Sequence, residues 1–278
     1  MSEVARSYHV HIRPRSGWIP LGLGELWSYR DVLFMLAARD IKLRYRQTFL
    51  GVLWVVLQPL AAGVIFALVF GRFAGLPSDG VSYLLFSFAG LITWSLFSGI
   101  IQRAGNSLVV ETRLITKVYF PRMLVPLAAA AAAIIDYSIG LLVLGALMCW
   151  ESVWPGWWIC LVPVACVLTL LFGVGASLWL SALNVRYRDF VHAQPFLTQV
   201  LMYASPVVYS FQLVPEELRF IYSVNPLVGL IESGRAAILG GGQFLLISMT
   251  ISGIWAAVVF VTGALFFRRV ERRFAEDL

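Results

Sequence analysis

The chain has 278 residues, of which 60% are hydrophobic and 13% charged, with a formal net charge of +6. A soluble domain carries about 25% charged residues, so a water-soluble enzyme is excluded: its core would not hide this much apolar surface. A disordered or nucleic-acid-binding chain shows the opposite bias, and in a membrane protein a basic excess marks loops on the inner side.

Runs free of Asp, Glu, Lys and Arg locate the spans, each of which needs about 20 apolar residues. They fall at 47–71, 80–102, 123–150 (interrupted only by Asp136), 152–185, 190–215 and 236–267. Each suffices for one crossing, which predicts an all-α integral membrane protein with six transmembrane helices and both termini on one side. No signal peptide is expected ahead of them, because the first 46 residues hold eight Lys/Arg and no continuous apolar core. With the termini inside, the N-terminal segment carries eight basic residues, loop 103–122 four, loop 186–189 two and the tail 268–278 four. The outer segments carry only Arg72, Arg219 and Arg235. The reading is a single transmembrane domain over 1–278: a cytoplasmic segment 1–46, a six-helix bundle 47–267 and a cytoplasmic tail 268–278.

Before the first span, residues 25–46 form an amphipathic pattern. At 100° per residue Asp31, Arg39, Lys42 and Arg46 share one sector, and Leu26, Tyr29, Leu33 and Leu36 the opposite one. Two residues break the stripe: Met35 sits among the charges and Arg44 on the apolar side. Such a helix suits the membrane interface, either with a role of its own or as a plain basic anchor. Next in the chain, 103–122 is longer than a minimal turn requires. It reads either as a short helix over Ser107–Tyr119 that docks a cytoplasmic partner, with Glu111, Arg113 and Lys117, or as a solvated loop.

Asp136 is a carboxylate well inside a span, which makes it a functional candidate, or else a structural one bonded to a neighbouring helix or near a wet cavity. Ala128 and Ala132, and further on Gly173 and Ser177, have the spacing of helix-packing positions. Cys149, Cys160 and Cys166 read as packing residues. With His9 and His11 near the N-terminus and His192 alone, no metal site is expected. Trp18, Trp27, Trp150, Trp154, Trp157 and Trp158 lie where interface belts belong.

In the outer segment 211–244, Pro215 with Glu216 and Glu217 is a helix start, proline at the first helical position and acids at the positive dipole end. Asn225 can cap a second helix begun by Pro226 and stopped at Gly240. At fourteen residues it spans about 21 Å, too short to cross. Two such helices after a proline-broken span read as a re-entrant hairpin, which survives at membrane depth only if buried in protein or lining a wet cavity. No phosphate loop, Asp-x-Asp, His-Glu-x-x-His or Gly-x-Ser-x-Gly motif is present.

Three stretches carry a family resemblance: RDIKLRYRQTFLGVLWVVLQP from Arg39, LNVRYRDF at 183–190, and SPVVYSFQLVPEELRFIYSVNPLVGLIESGR at 205–235. They resemble type-2 ABC transporter permeases that export O-antigen, capsular polysaccharide or teichoic acid, in the right order over nearly the whole chain. The resemblance implies a bacterial inner-membrane homodimer with two copies of a separate ABC ATPase, which carries the ATP and Mg; this chain would bind no cofactor and no nucleic acid and would not itself be an enzyme. The cargo it implies is a polyprenyl-pyrophosphate-linked polysaccharide moved from cytoplasm to periplasm. It makes 25–46 an interface helix whose Arg39, Lys42, Arg44 and Arg46 meet the lipid headgroup. It makes 103–122 the ATPase-coupling element, with Arg103, Glu111, Arg113 and Lys117. Channel-lining aromatics would be Trp54, Phe196, Tyr203 and Tyr209, and the periplasmic gate helices would hold Pro215, Glu216, Asn225 and Pro226. Two other readings are a drug, lipid or teichoic acid exporter of the same architecture, and an integral-membrane enzyme on polyprenyl-linked sugars that depends on Asp136.

Overall fold

In lipid every backbone polar group has to be satisfied within the protein, and a helix does this within one segment. The computed structural model describes residues 23–46, 51–187, 189–240 and 246–271, and among these all regular elements are helical. The short α1 (Leu23–Ser28) and the longer α2 (Arg30–Arg46) precede α3 (Gly51–Phe66), which continues with π-helical winding over Ala67–Phe73. Then come α4 (Tyr83–Val110), the six-residue α5 (Thr112–Lys117), α6 (Leu124–Trp150) and, after a 3-10 turn at Trp157–Leu161, α7 (Val162–Arg186). The last described helices are α8 (Asp189–Tyr203), α9 (Glu216–Ser223), α10 (Pro226–Leu239) and α11 (Leu246–Glu271).

Five of the described helices are long and apolar enough to cross a membrane: Leu53–Phe73, Tyr83–Val110, Leu124–Trp150, Trp157–Arg186 and Ile247–Glu271. They correspond to five of the six expected spans. The remaining expected span, 190–215, contains the 15-residue α8, which stops at Tyr203. Beyond it the backbone turns, with Val207 N donating to Ser205 O at 2.7 Å. Pro206 accounts for the break, since proline supplies no N–H and pushes the residue before it out of helical conformation. The expected interface helix is two pieces, α1 and α2, with a turn at Tyr29. Its apolar face is as read: Leu36 is buried, and Leu26, Tyr29 and Leu33 pack against the same core.

Apolar helices in lipid gain little from hiding from one another, so their association rests on close packing and interhelical hydrogen bonds. The centre of the bundle is α4, which packs against α6, α7, α3 and α10, while α7 packs against α11. Ala128, Ala132, Gly173 and Ser177 are all buried, as their spacing predicts. Between α7 and α11 the backbones touch: a Cβ on Gly175 would lie 2.5 Å from the Phe260 amide nitrogen. Beside that contact the rings of Trp179 and Phe266 stack with centroids 4.0 Å apart. In the most apolar stretch of α4 78% of residues are buried, against 6% in the α3 stretch, so α3 is held by one face only. Trp150, Trp154 and Trp157 stand exposed at the α6–α7 end, as belt residues should. The cysteines depart from expectation: Cys166 packs against the core, but Cys149 and Cys160 are exposed, because they lie at the outward-facing ends of α6 and of the 3-10 turn.

Candidate functional site

Asp136, near the middle of α6, is the hub of a charged cluster that joins three segments distant in sequence. Its Oδ2 accepts from Arg44 Nη2 of α2 at 2.8 Å and from Arg103 Nη2 of α4 at 2.5 Å. Its Oδ1 accepts from the Tyr45 hydroxyl at 2.8 Å. Burial, reinforced by the carboxylate it donates to, pushes the Tyr45 phenol up to about 12, so it remains a donor at neutral pH. The cluster explains the break in the α2 stripe: Arg44 lies on the apolar side because that side faces Asp136. It also explains why a carboxylate is tolerated inside a span, since it is paired and hydrogen-bonded on both oxygens. Arg103, expected as part of the coupling element 103–122, lies instead inside α4, which continues past it to Val110.

A second link ties α2 to the bend that follows α4. Arg39 grips Glu111 with both ends of its fork, Nη2 to Oε1 at 2.6 Å and Nη1 to Oε2 at 3.2 Å. Glu111 is the residue between α4 and α5, and the α5 side chains of Arg113 and Lys117 point into the surroundings. Around them Val110, Val118 and Tyr119 are exposed too, an apolar patch of the kind that marks contact surfaces. Nearby, Glu271 at the end of α11 accepts from the Arg122 backbone N–H at 2.7 Å, and Arg268 reaches back to Glu25 of α1 at 3.3 Å. These bonds close one end of the bundle around α2 and α5. The LNVRYRDF stretch contributes to the same end through buried Asn184, which donates to Gly105 O at 2.7 Å; beyond that stretch, Gln194 of α8 donates to Ile101 O at 2.8 Å.

At the opposite end, both short helices between α8 and α11 form as read. Pro215 sits one position earlier than expected, at the N-cap of α9 rather than in its first turn, with Glu216 and Glu217 beginning the helix. Glu216 pairs with Arg219 at 3.3 Å. Asn225 caps α10, its side chain accepting from Leu227 N at 3.0 Å, and its amide also donates to Ala204 O at 2.9 Å, fastening the helix to the turn after α8. Pro226 takes the first position, and Gly240 ends the helix at φ 66°, a left-handed conformation that glycine adopts without strain. Nearly all of α10 is buried, which is the condition for so short a helix at membrane depth.

Inside α10 lies a pair that the sequence reading passed over. Arg235 Nη1 meets Glu232 Oε1 at 2.9 Å, both side chains almost wholly buried. Its other nitrogen, Nη2, donates to Pro206 O at 2.7 Å and Val207 O at 2.8 Å, while Glu232 accepts from Phe211 N at 3.1 Å. The guanidinium lies 3.9 Å from the Phe86 ring centroid. The available signal was opposite charges three apart in a short apolar helix, which places them on one face. Gly90 of α4 makes room: a Cβ there would overlap the Val207 carbonyl and the Arg235 guanidinium.

Of the four expected headgroup contacts, Arg39 and Arg44 are engaged with carboxylates, Lys42 is exposed, and the Arg46 side chain lies outside the described residues. Trp54 on α3, and Phe196 and Tyr203 on α8, all face outward from the single chain. Tyr209 is half-buried, and its hydroxyl bonds to the Tyr222 hydroxyl of α9 at 2.7 Å. Among the described residues no group of three His, Cys, Asp or Glu is placed to hold a metal ion.

Known proteins give this arrangement a family. The sequence profile described as ABC-2 type transporter matches residues 31–239, which run from α2 through α10. The chain is 28% identical over 260 residues to the O-antigen export system permease protein RfbA of Myxococcus xanthus, covering 91% of this chain and 98% of that protein. It is 26% identical over 251 residues to the protein of the same name from Klebsiella pneumoniae, covering 89% and 95%. The polysialic acid transport protein KpsM of Escherichia coli is 22% identical over 263 residues, covering 87% and 93%. These relatives are named as permease and transport proteins, not enzymes. With its span pattern and family profile in agreement, the chain is a membrane-spanning protein of the ABC-2 type transporter family.

Proposed function

We propose that this chain is the permease of an ATP-driven exporter that carries a polyprenyl-pyrophosphate-linked, O-antigen-like polysaccharide from cytoplasm to periplasm. The observation that carries this reading is the likeness, along almost the full length of both chains, to permeases named for O-antigen export. Two copies of the chain work with two copies of a separate ABC ATPase, in which ATP and Mg reside. The membrane is the bacterial inner membrane with the termini cytoplasmic, because eighteen of the twenty-one Lys and Arg then lie inside. In this reading α8 and the turn after it complete a sixth crossing, and α9 and α10 are gate helices on the periplasmic side.

Several features support the parts of this scheme. The exposed apolar and basic surface around α5 suits docking of the ATPase. The Arg39–Glu111 fork offers a route by which motion of α5 reaches α2 and the cytoplasmic entrance. The one-sided burial of α3 and the outward rings of Trp54, Phe196 and Tyr203 suit a channel closed by a second copy, along which sugar faces slide over aromatic rings. The lipid headgroup would meet the basic face of α2, with exposed Lys42 prominent in it.

Deletion and reconstitution test the proposal. Co-expression with a candidate ABC ATPase is expected to yield a co-purifying complex with ATPase activity, and loss of the gene is expected to strip the polysaccharide from the cell surface. A permease that binds no ATPase, in cells whose surface polymer survives the deletion, would overturn it.

A further inference from the structure

The Asp136 cluster borders a cavity, and the two together have the makings of a binding site. The cavity has a volume of about 250 Å³ and lies between α3, α4 and α6. Gln58, Ser98 and Gln102 line it together with Arg44, Arg103 and Asp136. Gln58 and Gln102 are exposed, so its rim opens to the surroundings.

Among the described residues the ion pairs around Asp136 are unbalanced. Two guanidinium groups face one carboxylate, and both reach the same oxygen, Oδ2, while Tyr45 occupies the other. Arg103 Nη1 is buried and has no hydrogen-bond partner among the described residues. Gly99 lets the guanidinium lie close against α4: a Cβ at that position would be 3.4 Å from Nη1. A buried donor of a cation without an acceptor costs more than a neutral one, and an anion in the cavity would supply that acceptor and offset the surplus positive charge. The Glu232–Arg235 pair differs in its charge count, one cation to one carboxylate, although Arg235 Nε is likewise buried without a partner among the described residues.

We propose that this cavity is an anion-binding site for a phosphate-type group, with Arg103 as principal ligand, Arg44 as its partner and the Gln58–Gln102 rim as the polar mouth. Phosphate chemistry fits because guanidinium forks bind its oxygens with paired, charge-assisted hydrogen bonds. The group can belong to a lipid headgroup entering from the membrane or to a free phosphate. Asp136 then acts as a built-in competitor that neutralises half of the site when it is empty. The identity of the natural anion rests on the export reading; the site itself does not, and its test uses neither ATPase nor polysaccharide.

The full chain is placed in phosphatidylcholine nanodiscs and its thermal unfolding followed in two arms. One arm titrates inorganic phosphate against chloride at equal ionic strength. The other replaces the bilayer with an equimolar mixture of phosphatidylcholine and phosphatidic acid. Wild type should gain a saturable rise in Tm in at least one arm. Arg103→Gln should weaken the apparent affinity about tenfold or more. Ser98→Leu, which fills the cavity and leaves the ion pairs alone, should abolish the rise. Asp136→Asn removes the competitor, so its Tm should rise more with the anion than that of wild type. A rise confined to phosphatidic acid identifies a lipid headgroup, and one confined to inorganic phosphate a soluble ion; either supports the site. No rise in either arm, or the same rise in wild type, Arg103→Gln and Ser98→Leu, overturns it. If Arg103→Gln does not fold, Ser98→Leu and Asp136→Asn still decide.

Discussion

Arg235 and Asp136 are both charges held inside the helical bundle, yet their surroundings differ in kind. Arg235 finds its carboxylate three residues back on the same helix and donates through Nη2 to the Pro206 and Val207 carbonyls, with only Nε left without a partner among the described residues. The charges balance, and the group closes the turn after α8 onto α10 and α4. Asp136 instead draws its partners from α2 and α4, leaves a cation in excess and lies against open space. A balanced, enclosed pair holds structure together. An unbalanced pair shared among separate segments with room beside it is where binding or movement can be accommodated.

The largest effect is expected where the enclosed pair is broken. Arg235→Leu leaves Glu232 buried without its cation and frees two carbonyls, which should cost about 3–5 kcal/mol. Thermal unfolding of the purified chain would register it as a large fall in Tm. The double variant Glu232→Leu with Arg235→Leu should recover part of the loss, because no buried charge is then left alone. A single variant as stable as wild type would remove the distinction between the two clusters.

Asp136→Asn comes next. It strips the compensating charge from Arg44 and Arg103, but both guanidiniums retain some contact with solvent, so a cost of about 2 kcal/mol is expected. Unlike the loss at Arg235, this one should shrink when phosphate is added. A loss as large as that of Arg235→Leu, insensitive to anions, would make Asp136 a fastener like its counterpart.

How far these clusters were legible in the sequence depends on what each rule detects. Apolar run length found five spans because lipid imposes it on every crossing segment. The same rule treated 190–215 as one unit, since it weighs charge and not the backbone break that Pro206 introduces. It also placed Arg103 outside its helix: a charge ends an apolar run, but α4 continues because Asp136 pairs with that charge. Arg44 on the apolar side of α2 and Asp136 inside a span were each visible as anomalies. That they answer one another was not, because they are 92 positions apart in the chain and meet only through packing of α2 on α6. The two short helices between α8 and α11 were read nearly to the residue, since Asn225, Pro226 and Gly240 act through local geometry. Glu232 and Arg235 were passed over for the opposite reason: counting charges by loop ignored their helical spacing.

Asn225→Ala probes the fastener from its margin. The N-cap bond to Leu227 and the amide contact with Ala204 are both lost, for a cost of about 1 kcal/mol. Asn225→Asp keeps the cap but not the donor, so it should fall between alanine and wild type. Equal stability of all three would mean that α10 is held in place by Arg235 and packing alone.

The smallest change in stability is expected at Arg39, and it tells most about whether the α2 end is built to move. The Arg39–Glu111 fork is well aligned but partly exposed, with side-chain exposures of 35% and 27%. Pairs in such settings contribute up to about 1 kcal/mol, so Arg39→Gln should barely shift Tm. If the fork transmits motion between α5 and α2, transport in a reconstituted complex should nevertheless fall well below wild type while ATP hydrolysis continues. A double-mutant cycle with Glu111→Gln separates the two meanings. For a coupling link, either single variant should lower transport as far as the double variant does, because each breaks the same connection. Additive losses would instead assign Arg39 and Glu111 separate duties, and unchanged transport in all three variants would reduce the fork to a surface ion pair that rides along with the helices it joins.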